Sequence, residues 1–251
     1  MTEYPVGSVR TTARIVRALE DNREAGVTEL ADELDISKAS VHNHLTTLER
    51  LGVVVSDAGR YRLGLRFLDI GMGVRDGMVL HRVARPEVDG LAQSTGESTA
   101  LVVPEHNEAV YAAVEASSRN DRRIRLGSRV PLHATAAGKV VLAYRSRQAV
   151  EEYVETAGLD PETDRTISSR SELHAELRSV TDRGLAFDRG ELFDDMRSVA
   201  APIRRGDDTD ALAGALTVLG PPERLSGKRL EEELPGMVLS AAKRVELELT
   251  D

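Results

Sequence analysis

The sequence ISKASVHNHLTTLERLG, residues 36–52, decides how the first part of the chain folds. Ser37 is a favourable N-cap residue, because its hydroxyl can accept from a free N–H group of the first helical turn. Apolar residues recur at the helical period and are expected to face a core, namely Val41, Leu45 and Leu48. Gly52 stands where a glycine commonly ends a helix. The stretch therefore predicts an amphipathic helix over about residues 37–51.

The opposite face of this helix is short, polar and weakly basic. It comprises Ala39, Asn43, Thr46, Thr47 and Arg50. Side chains of these kinds can enter a DNA groove and hydrogen-bond to base edges. A plain amphipathic surface helix has the same pattern, so the neighbouring elements have to decide between the two interpretations.

Two further helices are predicted upstream, over residues 8–21 and 28–34, and Thr28 is expected to cap the second. A tight turn at Asp35 and Ile36 then leads into the helix that follows Ser37. Helix, short helix, turn and helix is the helix-turn-helix arrangement. In that arrangement the last helix lies in the major groove and the preceding helix braces it.

A two-stranded wing is predicted after Gly52, with strands over 53–55 and 60–63 around a turn at 57–59. Arg60 and Arg62 share its outer face, where they can contact phosphates without reading sequence. A solvated hairpin face is the alternative. The winged helix-turn-helix domain is thus expected to span residues 6–64.

Residues 65–82 are predicted to form one connector helix that packs against a partner subunit. The string GMGVRDG within it is close to a dinucleotide-binding fingerprint. Its spacing differs by one residue and no strand precedes it, so a nucleotide site is not expected.

From residue 83 to residue 251 the pattern becomes mixed helix and strand. Strands are predicted over 98–103, 109–116, 124–126, 130–132, 185–188, 198–204 and 212–219. Helices are predicted over 136–144, 148–156, 169–182 and 227–249, with Pro235 a kink in the last. Because paired strands are mostly close in sequence, an antiparallel sheet flanked by helices is expected, an α+β domain.

The composition restricts the possible functions. The chain has 41% hydrophobic residues, a net charge of −9 and no cysteine, which excludes disulfides and thiolate metal sites. No apolar run is long enough to span a membrane and the start lacks a signal-peptide core, so a cytoplasmic protein is expected. Residues 36–66 are locally basic despite the overall charge, which is compatible with a nucleic-acid partner.

The charged residues also indicate the kind of organism from which the chain comes. Only four lysines occur and the other basic residues are arginine. An acidic chain that prefers arginine is typical of halophilic organisms, although codon bias in a high-GC genome gives the same preference.

Three C-terminal motifs identify a family. They are PLHATAAGKVVLA at 131–143, GLAFDRGELFDDMRSVAAPI at 184–203 and GALTVLGP at 214–221. Together with the winged helix-turn-helix, they resemble the IclR family of transcription regulators over nearly the whole chain, and in particular its acidic archaeal branch. The resemblance implies a GAF-like effector-binding domain, and homodimers or homotetramers that bind near-palindromic double-stranded DNA operators.

The family's effector pocket can be transferred to positions of this sequence. The resemblance assigns to it His133, Ala134, Thr135, Ala136, Gly138, Asp188, Met196, Ser198 and Thr217. Free N–H groups near Gly138, at a helix start, would suit a ligand carboxylate or phosphate. Asp188 disfavours an anion in a dry pocket and suits a hydroxyl-rich ligand, such as a sugar acid or another small organic acid. Strand-end or capping roles are the alternative for each residue.

The expected DNA-binding residues follow from the winged helix-turn-helix. They are Thr28, Ser37, Lys38, Ala39, Ser40, His42, Asn43, Thr46, Thr47, Arg50, Arg60 and Arg62. Many family members carry Arg where Asn43 stands, an apolar residue at His44 and Cys at Ser198. Since Asn pairs with adenine where Arg pairs with guanine, a different operator sequence is expected.

Two other classes of function fit the sequence less well. An enzyme is not expected, because the chain has no GxSxG, HExxH or P-loop motif. His42 and His44 point to different helix faces and cannot share a metal, while Asp188 with Glu191, or Asp194 with Asp195, remains the only acid/base alternative. A winged helix that binds protein is the second rival. The sequence favours a ligand-responsive transcription regulator with no cofactor, catalytic residue or metal ligand.

Overall fold

The computed structural model describes residues 4–117, 123–205 and 212–250. The chain divides into two compact units, Met1–Gly77 and Met78–Asp251, which are described separately. The predicted α+β class is confirmed, with a winged helix-turn-helix in the first unit and an antiparallel sheet flanked by helices in the second.

The first unit combines helices with a small antiparallel sheet. Its elements are α1 (Gly7–Asn22), β1 (Ala25–Gly26), α2 (Val27–Leu34), α3 (Lys38–Arg50), β2 (Val54–Asp57), β3 (Arg60–Leu63) and α4 (Arg66–Asp76). The strand order is β1-β3-β2. Ala58 and Gly59 both take positive φ, 47° and 83°, which is the geometry of a two-residue hairpin turn. The predicted wing is therefore present, with a third short strand beside it.

The start of α2 differs from the prediction that Thr28 caps it. Gly26 is the N-cap residue, and its N–H donates to Oε2 of Glu29 at 2.9 Å. Gly26 also pairs with Arg60 as the end of β1, so its extended backbone begins the helix one residue earlier than expected. A two-residue strand leaves no periodic pattern, which is why the sequence did not reveal β1.

The prediction of one connector helix over 65–82 is wrong. The structure has α4, which ends at Asp76, and a separate helix α5 (Val79–Thr95). Met78 between them has an extended backbone, with φ −80° and ψ 115°. α4 buries none of its residues, whereas Leu80, Ala84, Val88 and Leu91 of α5 lie in the core of the second unit. The apolar residues of α4 are thus outside any core, whereas those of α5 pack into one. The break between the two helices coincides with the boundary between the units.

The second unit is built on one sheet. After α5 come β4 (Ser98–Glu105), β5 (Glu108–Glu115), β6 (Arg129–Pro131), α6 (Ala136–Ala143), α7 (Arg147–Ala157), α8 (Arg170–Arg183), β7 (Ala186–Asp188), β8 (Arg197–Arg204), β9 (Leu212–Gly220), a π-helical turn (Arg229–Glu233) and α9 (Leu234–Glu248). The six strands follow the order β6-β5-β4-β9-β8-β7, and every neighbouring pair is antiparallel.

Two local expectations for this unit are corrected. Residues 124–126 form no strand, and Ile124 instead buries its side chain in the core. The helix expected from residue 227 begins with the π-helical turn, and Pro235 lies in the first turn of α9. The backbone is helical through the π-helical turn into α9, so Pro235, which has no N–H to donate, lies where the regular α-helical ladder is already interrupted.

The sheet separates two apolar cores. One face packs against α6, α7 and α8, and the other packs against α5 and α9. Alternating strand residues serve the two cores, as with Ala215 on the α6 side and Leu216 on the α5 side. Within the described ranges, no helix has both the length and the apolar character needed to cross a bilayer.

Candidate nucleic-acid interface and effector site

The orientation of α3 is fixed by its cap and its apolar face. Ser37 accepts a hydrogen bond from the N–H of Ser40 through its Oγ at 3.1 Å, as predicted. Val41 and Leu45 are completely buried in the core of the first unit. Because one face of α3 is held inside the core, the opposite face must point to solvent.

The predicted DNA-binding residues of α3 lie on its solvent side. Exposed are Ser37, Lys38, Ala39, His42, Asn43, Thr47 and Arg50, and half-buried are Ser40 and Thr46. Thr47 donates its hydroxyl to the carbonyl of Asn43 at 2.8 Å. The Asn43 amide makes no side-chain hydrogen bond to the described part of the chain, so both of its polar atoms can meet a ligand. Thr28 is also exposed, in the first turn of α2.

The two wing arginines have different surroundings. Arg60 Nε lies 2.8 Å from Glu24 Oε1, and its Nη1 lies 3.2 Å from Glu29 Oε1. The pKa of Glu29 is lowered, first by the N–H of Gly26 and then by Arg60. Among the residues described, the guanidinium of Arg62 makes one hydrogen bond, to the carbonyl of Leu63 at 3.4 Å. Arg62 is therefore the freer guanidinium, while Arg60 ties β3 to α2.

His44 joins α3 to α1. Its Nδ1 lies 2.9 Å from Oγ1 of Thr12, whose hydroxyl also lies 3.0 Å from the carbonyl oxygen of Ser8. Both contacts are satisfied when Thr12 donates to Ser8 and the protonated Nδ1 of His44 donates to Thr12. The residues are 32 apart in sequence, so no local pattern indicated this pair.

The start of α6 is formed by a close approach of two backbone segments. Thr135 is the N-cap, and its Oγ1 accepts from the N–H of Gly138 at 3.0 Å. A Cβ at Gly138 would lie 2.2 Å from the carbonyl oxygen of Leu132, so only glycine fits. The expectation of a free N–H at Gly138 is corrected, because Thr135 already occupies it.

His133 has no free ring nitrogen. Its Nδ1 lies 2.8 Å from the hydroxyl of Tyr153, and its Nε2 lies 3.0 Å from the carbonyl oxygen of Asp160. Both His133 and its neighbour Ala134 are buried. These contacts match the structural alternative for His133, since its polar atoms hold the segment before α6 against α7 and the loop after it.

The strand residues expected in the effector pocket share one sheet face. Asp188 on β7 lies opposite Ser198 on β8, and Thr217 on β9 lies opposite Ala200. By strand alternation these side chains point to the side that packs against α6. The Thr217 hydroxyl donates to the carbonyl of Val199 at 3.1 Å. Met196 is buried in the same core.

The carboxylate of Asp188 is buried, and its two oxygens have different hydrogen-bond partners. Its Oδ1 accepts from the N–H groups of Gly190 at 2.9 Å and Glu191 at 2.7 Å. Among the residues that the structure describes, only the hydroxyl of Ser198 donates to its Oδ2, at 3.5 Å. Burial raises the pKa of Asp188 to about 6. Burial also raises the pKa of Tyr111, and the negative charge of Asp188 adds to that shift.

A buried ion pair that the sequence pattern does not indicate lies beside Asp188. Lys139 on α6 is 1% exposed, and its Nζ lies 2.7 Å from both carboxylate oxygens of Glu191. Glu176 on α8 approaches the same Nζ at 3.3 Å. The motif 131–143 contained this lysine, but the sequence does not show which carboxylate would meet it.

Comparison with family models covers most of the chain. Residues 8–58 match the model described as the IclR helix-turn-helix domain. Residues 72–247 match the model described as the bacterial transcriptional regulator IclR C-terminal.

Similar proteins match over nearly their whole length. "Probable HTH-type transcriptional regulator ArcR" of Halobacterium salinarum is 31% identical over 249 residues, which is 97% of this chain and 94% of that protein. A transcriptional regulator from Rhodococcus sp. RHA1 has a crystal structure with TM-score 0.84 and 28% identity, covering 97% of this chain and 98% of that chain. An IclR homologue from Microbacterium hydrocarbonoxydans, complexed with 4-hydroxybenzoate, shares the fold with TM-score 0.81 and 21% identity, covering 96% and 98%.

Proposed function

The chain belongs to the IclR family of transcription regulators, and from this premise we propose how it binds DNA and what it senses. It is a regulator and not an enzyme, with a DNA-binding helix-turn-helix and a C-terminal effector domain. The proposal is that α3 reads the major groove in each of two half-sites of a near-palindromic operator.

The observation that carries the proposal is the exposed polar face of α3. Asn43, Thr46 and Thr47 are the candidates for base contacts, with Ala39, Ser40, His42 and Arg50 around them. The amide of Asn43 offers one donor and one acceptor, the pair that adenine presents in the major groove. We assign base readout first to Asn43, because its amide makes no other side-chain hydrogen bond within the described ranges.

Phosphate contacts hold the protein in register on the duplex. We assign them to Thr28 and Ser37 at helix starts, to Lys38, and to Arg62 on the wing. Arg60 belongs to the same surface, but its pairs with Glu24 and Glu29 must loosen before it can bind a phosphate. Arg62 is thus the stronger candidate of the two.

A homodimer or homotetramer brings two winged helix-turn-helix domains onto one operator. Support comes from α4 and its preceding residue, where Leu65 is 80%, Leu68 59% and Val74 68% exposed. Apolar side chains on one short helix with no buried residue favour an interface with a second copy. We propose that α4 joins the winged helices of two subunits.

The effector site is proposed on the α6 side of the sheet, in a domain we regard as GAF-like. Asp188, Ser198 and Thr217 supply polar atoms there, and Met196 supplies apolar surface. Ala136 and Ala137 supply the N–H groups of the first turn of α6, now that Gly138 is capped. We propose a sugar acid or another small organic acid as effector, and a relative of this fold holds the organic acid 4-hydroxybenzoate.

Effector binding then shifts the population of subunit arrangements. That shift changes the distance between the two winged helix-turn-helix domains, and so changes DNA binding. We place this activity in the cytoplasm, where the DNA is, and in a halophilic archaeon. The acidic, arginine-rich composition and the similarity to a Halobacterium salinarum protein support that host.

The test is selection of binding sites from random double-stranded DNA by the purified chain. The expected product is a near-palindromic motif, and Asn43→Ala relaxes the preference at one position in each half-site, with a cost of about 1–3 kcal/mol. Asn22→Ala is the matched control, because Asn22 is an amide of the same unit that lies on α1 and bonds to Ala18 and Glu33. Enrichment of no motif would favour a protein partner for the winged helix.

A further inference from the structure

We infer that Glu49 and Ser56 are positioning residues for DNA binding. They set the angle between α3 and the wing, the hairpin of β2 and β3, so that Arg62 reaches a phosphate while α3 lies in the major groove. The inference rests on the proposed function, because it concerns how the two parts of that DNA-binding surface are held together. It gives a role to two side chains that were not among the expected DNA-binding residues.

The tie between α3 and the wing is a hydrogen bond between two side chains. The hydroxyl of Ser56 on β2 donates to Oε1 of Glu49, which lies in the last turn of α3. Both residues are exposed, so the bond lies at the surface of the first unit and not in its core. Because the acceptor is a carboxylate, this bond is stronger than one between neutral groups.

The backbone and the core fix only the beginning of β2. The N–H of Val53 donates to the carbonyl of Leu48 at 3.0 Å, and Val54 is buried in the core of the first unit. Residues 55–57 are all exposed. β2 is also an edge strand, and among the described strands it pairs with β3 alone. The outer half of β2 therefore depends on β3 and on side-chain contacts for its position.

The other strand of the wing is tied to a different element. β3 pairs with β1, and the guanidinium of Arg60 contacts the carboxylates of Glu24 and Glu29. The wing is therefore held at both edges, with β3 joined to the segment that begins α2 and β2 joined to the end of α3.

The strand register transmits the position of Ser56 to Arg62. Ser56 lies directly opposite Tyr61, and Val55 lies opposite Arg62. Since opposite side chains share a face, Ser56 points to the side on which Tyr61 packs against the core, and Arg62 points outward. Arg62 follows Tyr61 on the same strand, so a change in the distance between Ser56 and α3 also moves Arg62 relative to α3.

α3 has a tie on each side of its buried face. His44 Nδ1 lies 2.9 Å from Thr12 Oγ1 on α1, and Glu49 accepts from Ser56 on the wing. His44 and Glu49 are about 140° apart around the helix axis, with the buried Leu48 between them. Rotation of α3 about its axis would break one of these ties, so the pair keeps its polar face directed outward.

The charge of Glu49 alone would oppose DNA binding, because a carboxylate at the end of α3 repels nearby phosphates. Its two effects on affinity therefore have opposite signs and can be separated. Glu49→Gln removes the charge and keeps an oxygen that can accept from Ser56, whereas Glu49→Ala removes both.

The experiment measures binding of the full chain to a labelled random-sequence duplex and to the duplex obtained by site selection, by fluorescence anisotropy over a salt series. Ser56→Ala should bind both about three- to tenfold more weakly and reduce the slope of log affinity against log salt, because Arg62 loses its phosphate. Ser56→Thr keeps the hydroxyl and should bind like the wild type. Ser8→Ala is the matched control, since Ser8 is an exposed serine of the same unit whose hydroxyl makes no hydrogen bond within the described ranges.

A double variant separates positioning from a general loss of stability. Arg62→Ala alone should reduce the slope by about 0.9. If Ser56 acts through Arg62, adding Ser56→Ala to Arg62→Ala reduces the slope by less than Ser56→Ala does in the wild type. A merely structural role would lower the melting temperature and leave the slope of the folded chain unchanged. Glu49→Ala should bind more weakly than Glu49→Gln, although both lack the charge.

Hydrogen exchange followed by mass spectrometry tests the tie without DNA. The amides of residues 54–63 should exchange faster in Ser56→Ala than in the wild type or in Ser8→Ala. Unchanged exchange would overturn the inference, and so would unchanged affinity, additive slope changes for Ser56→Ala and Arg62→Ala, or equal affinities of Glu49→Ala and Glu49→Gln. If the wild-type chain binds no duplex, the proposed function fails and the role in DNA binding fails with it. The exchange rates still show whether Glu49 and Ser56 hold the wing, so the two failures are distinguishable.

Discussion

Lys139 and Glu191 form a buried ion pair in which Nζ lies 2.7 Å from both carboxylate oxygens. The pair joins α6 to the loop after β7, across 52 residues of sequence. Burial raises the pKa of Glu191, and the ammonium group of Lys139 opposes that shift. Each charge therefore depends on the other, and together they fix α6 over β7 and β8.

Removing one member of this pair should destabilise the second unit strongly. Lys139→Met leaves Glu191 buried without its cation, which costs about 3–5 kcal/mol. The double variant Lys139→Met/Glu191→Met should recover most of the loss, because no uncompensated charge remains. Urea unfolding of the wild type, both single variants and the double variant measures this. Equal loss in the single and double variants would contradict the pairing account.

Asp188 should make the stability of the chain depend on pH. Its pKa is about 6 in the folded chain, above the ordinary aspartate value of 3.8, so the folded state binds the proton more tightly. Its contribution to stability is therefore complete below about pH 4 and is lost as pH rises through about 6.

Asp188→Asn should thus gain stability relative to wild type as pH rises, on the order of 3 kcal/mol at most between about pH 4 and about pH 7. Urea unfolding at several pH values measures the difference between the two chains. Asp182→Asn, which is exposed, should show no such trend. A difference between Asp188→Asn and wild type that stays constant with pH would show that Asp188 ionises normally.

The two wing arginines should affect DNA binding unequally. Arg62→Ala should weaken binding to all sequences alike and reduce the slope of log affinity against log salt by about 0.9. Arg60→Ala should change that slope less, because Glu24 and Glu29 already hold the Arg60 guanidinium. Fluorescence anisotropy on one operator and one random duplex, over a salt series, measures both. A larger slope change for Arg60→Ala would mean that its ion pairs open on DNA.

The hydrogen bond between Thr12 and His44 should contribute to the stability of the first unit. Thr12→Val removes the hydroxyl and leaves Nδ1 of His44 without its partner at 2.9 Å, at a cost of about 1 kcal/mol. Thr11→Val is the matched control, because Thr11 donates only to the carbonyl of Gly7 in its own helix. Thermal unfolding compares the two variants. Equal effects would show that the link between α1 and α3 contributes nothing.

Features that depend on neighbouring residues were predictable from the sequence. The cap at Ser37 is confirmed by a hydrogen bond from the N–H of Ser40, three residues later. The apolar period of α3 and the turn before β3 likewise depend on short-range rules. The prediction of one helix over 65–82 was wrong. Periodicity alone does not show that the helix ends near Gly77 and that a second helix begins after Met78.

Features that join distant segments were not predictable. Lys139 and Glu191 meet only because α6 packs on β7 and β8, and Arg60 meets Glu29 only because β3 pairs with β1. The need for glycine at 138 likewise depends on the path of Leu132. The sequence alone shows which residue types are present, but it does not show which distant residue each side chain will contact.

The most direct test of the central claim is genome-wide immunoprecipitation of the tagged chain in its native host, with and without candidate organic acids. The account predicts sharp peaks upstream of a few genes, with a shared near-palindromic motif that Asn43→Ala alters. It also predicts that one acid changes peak occupancy. No enriched site under any condition, with the protein present and folded, would contradict it.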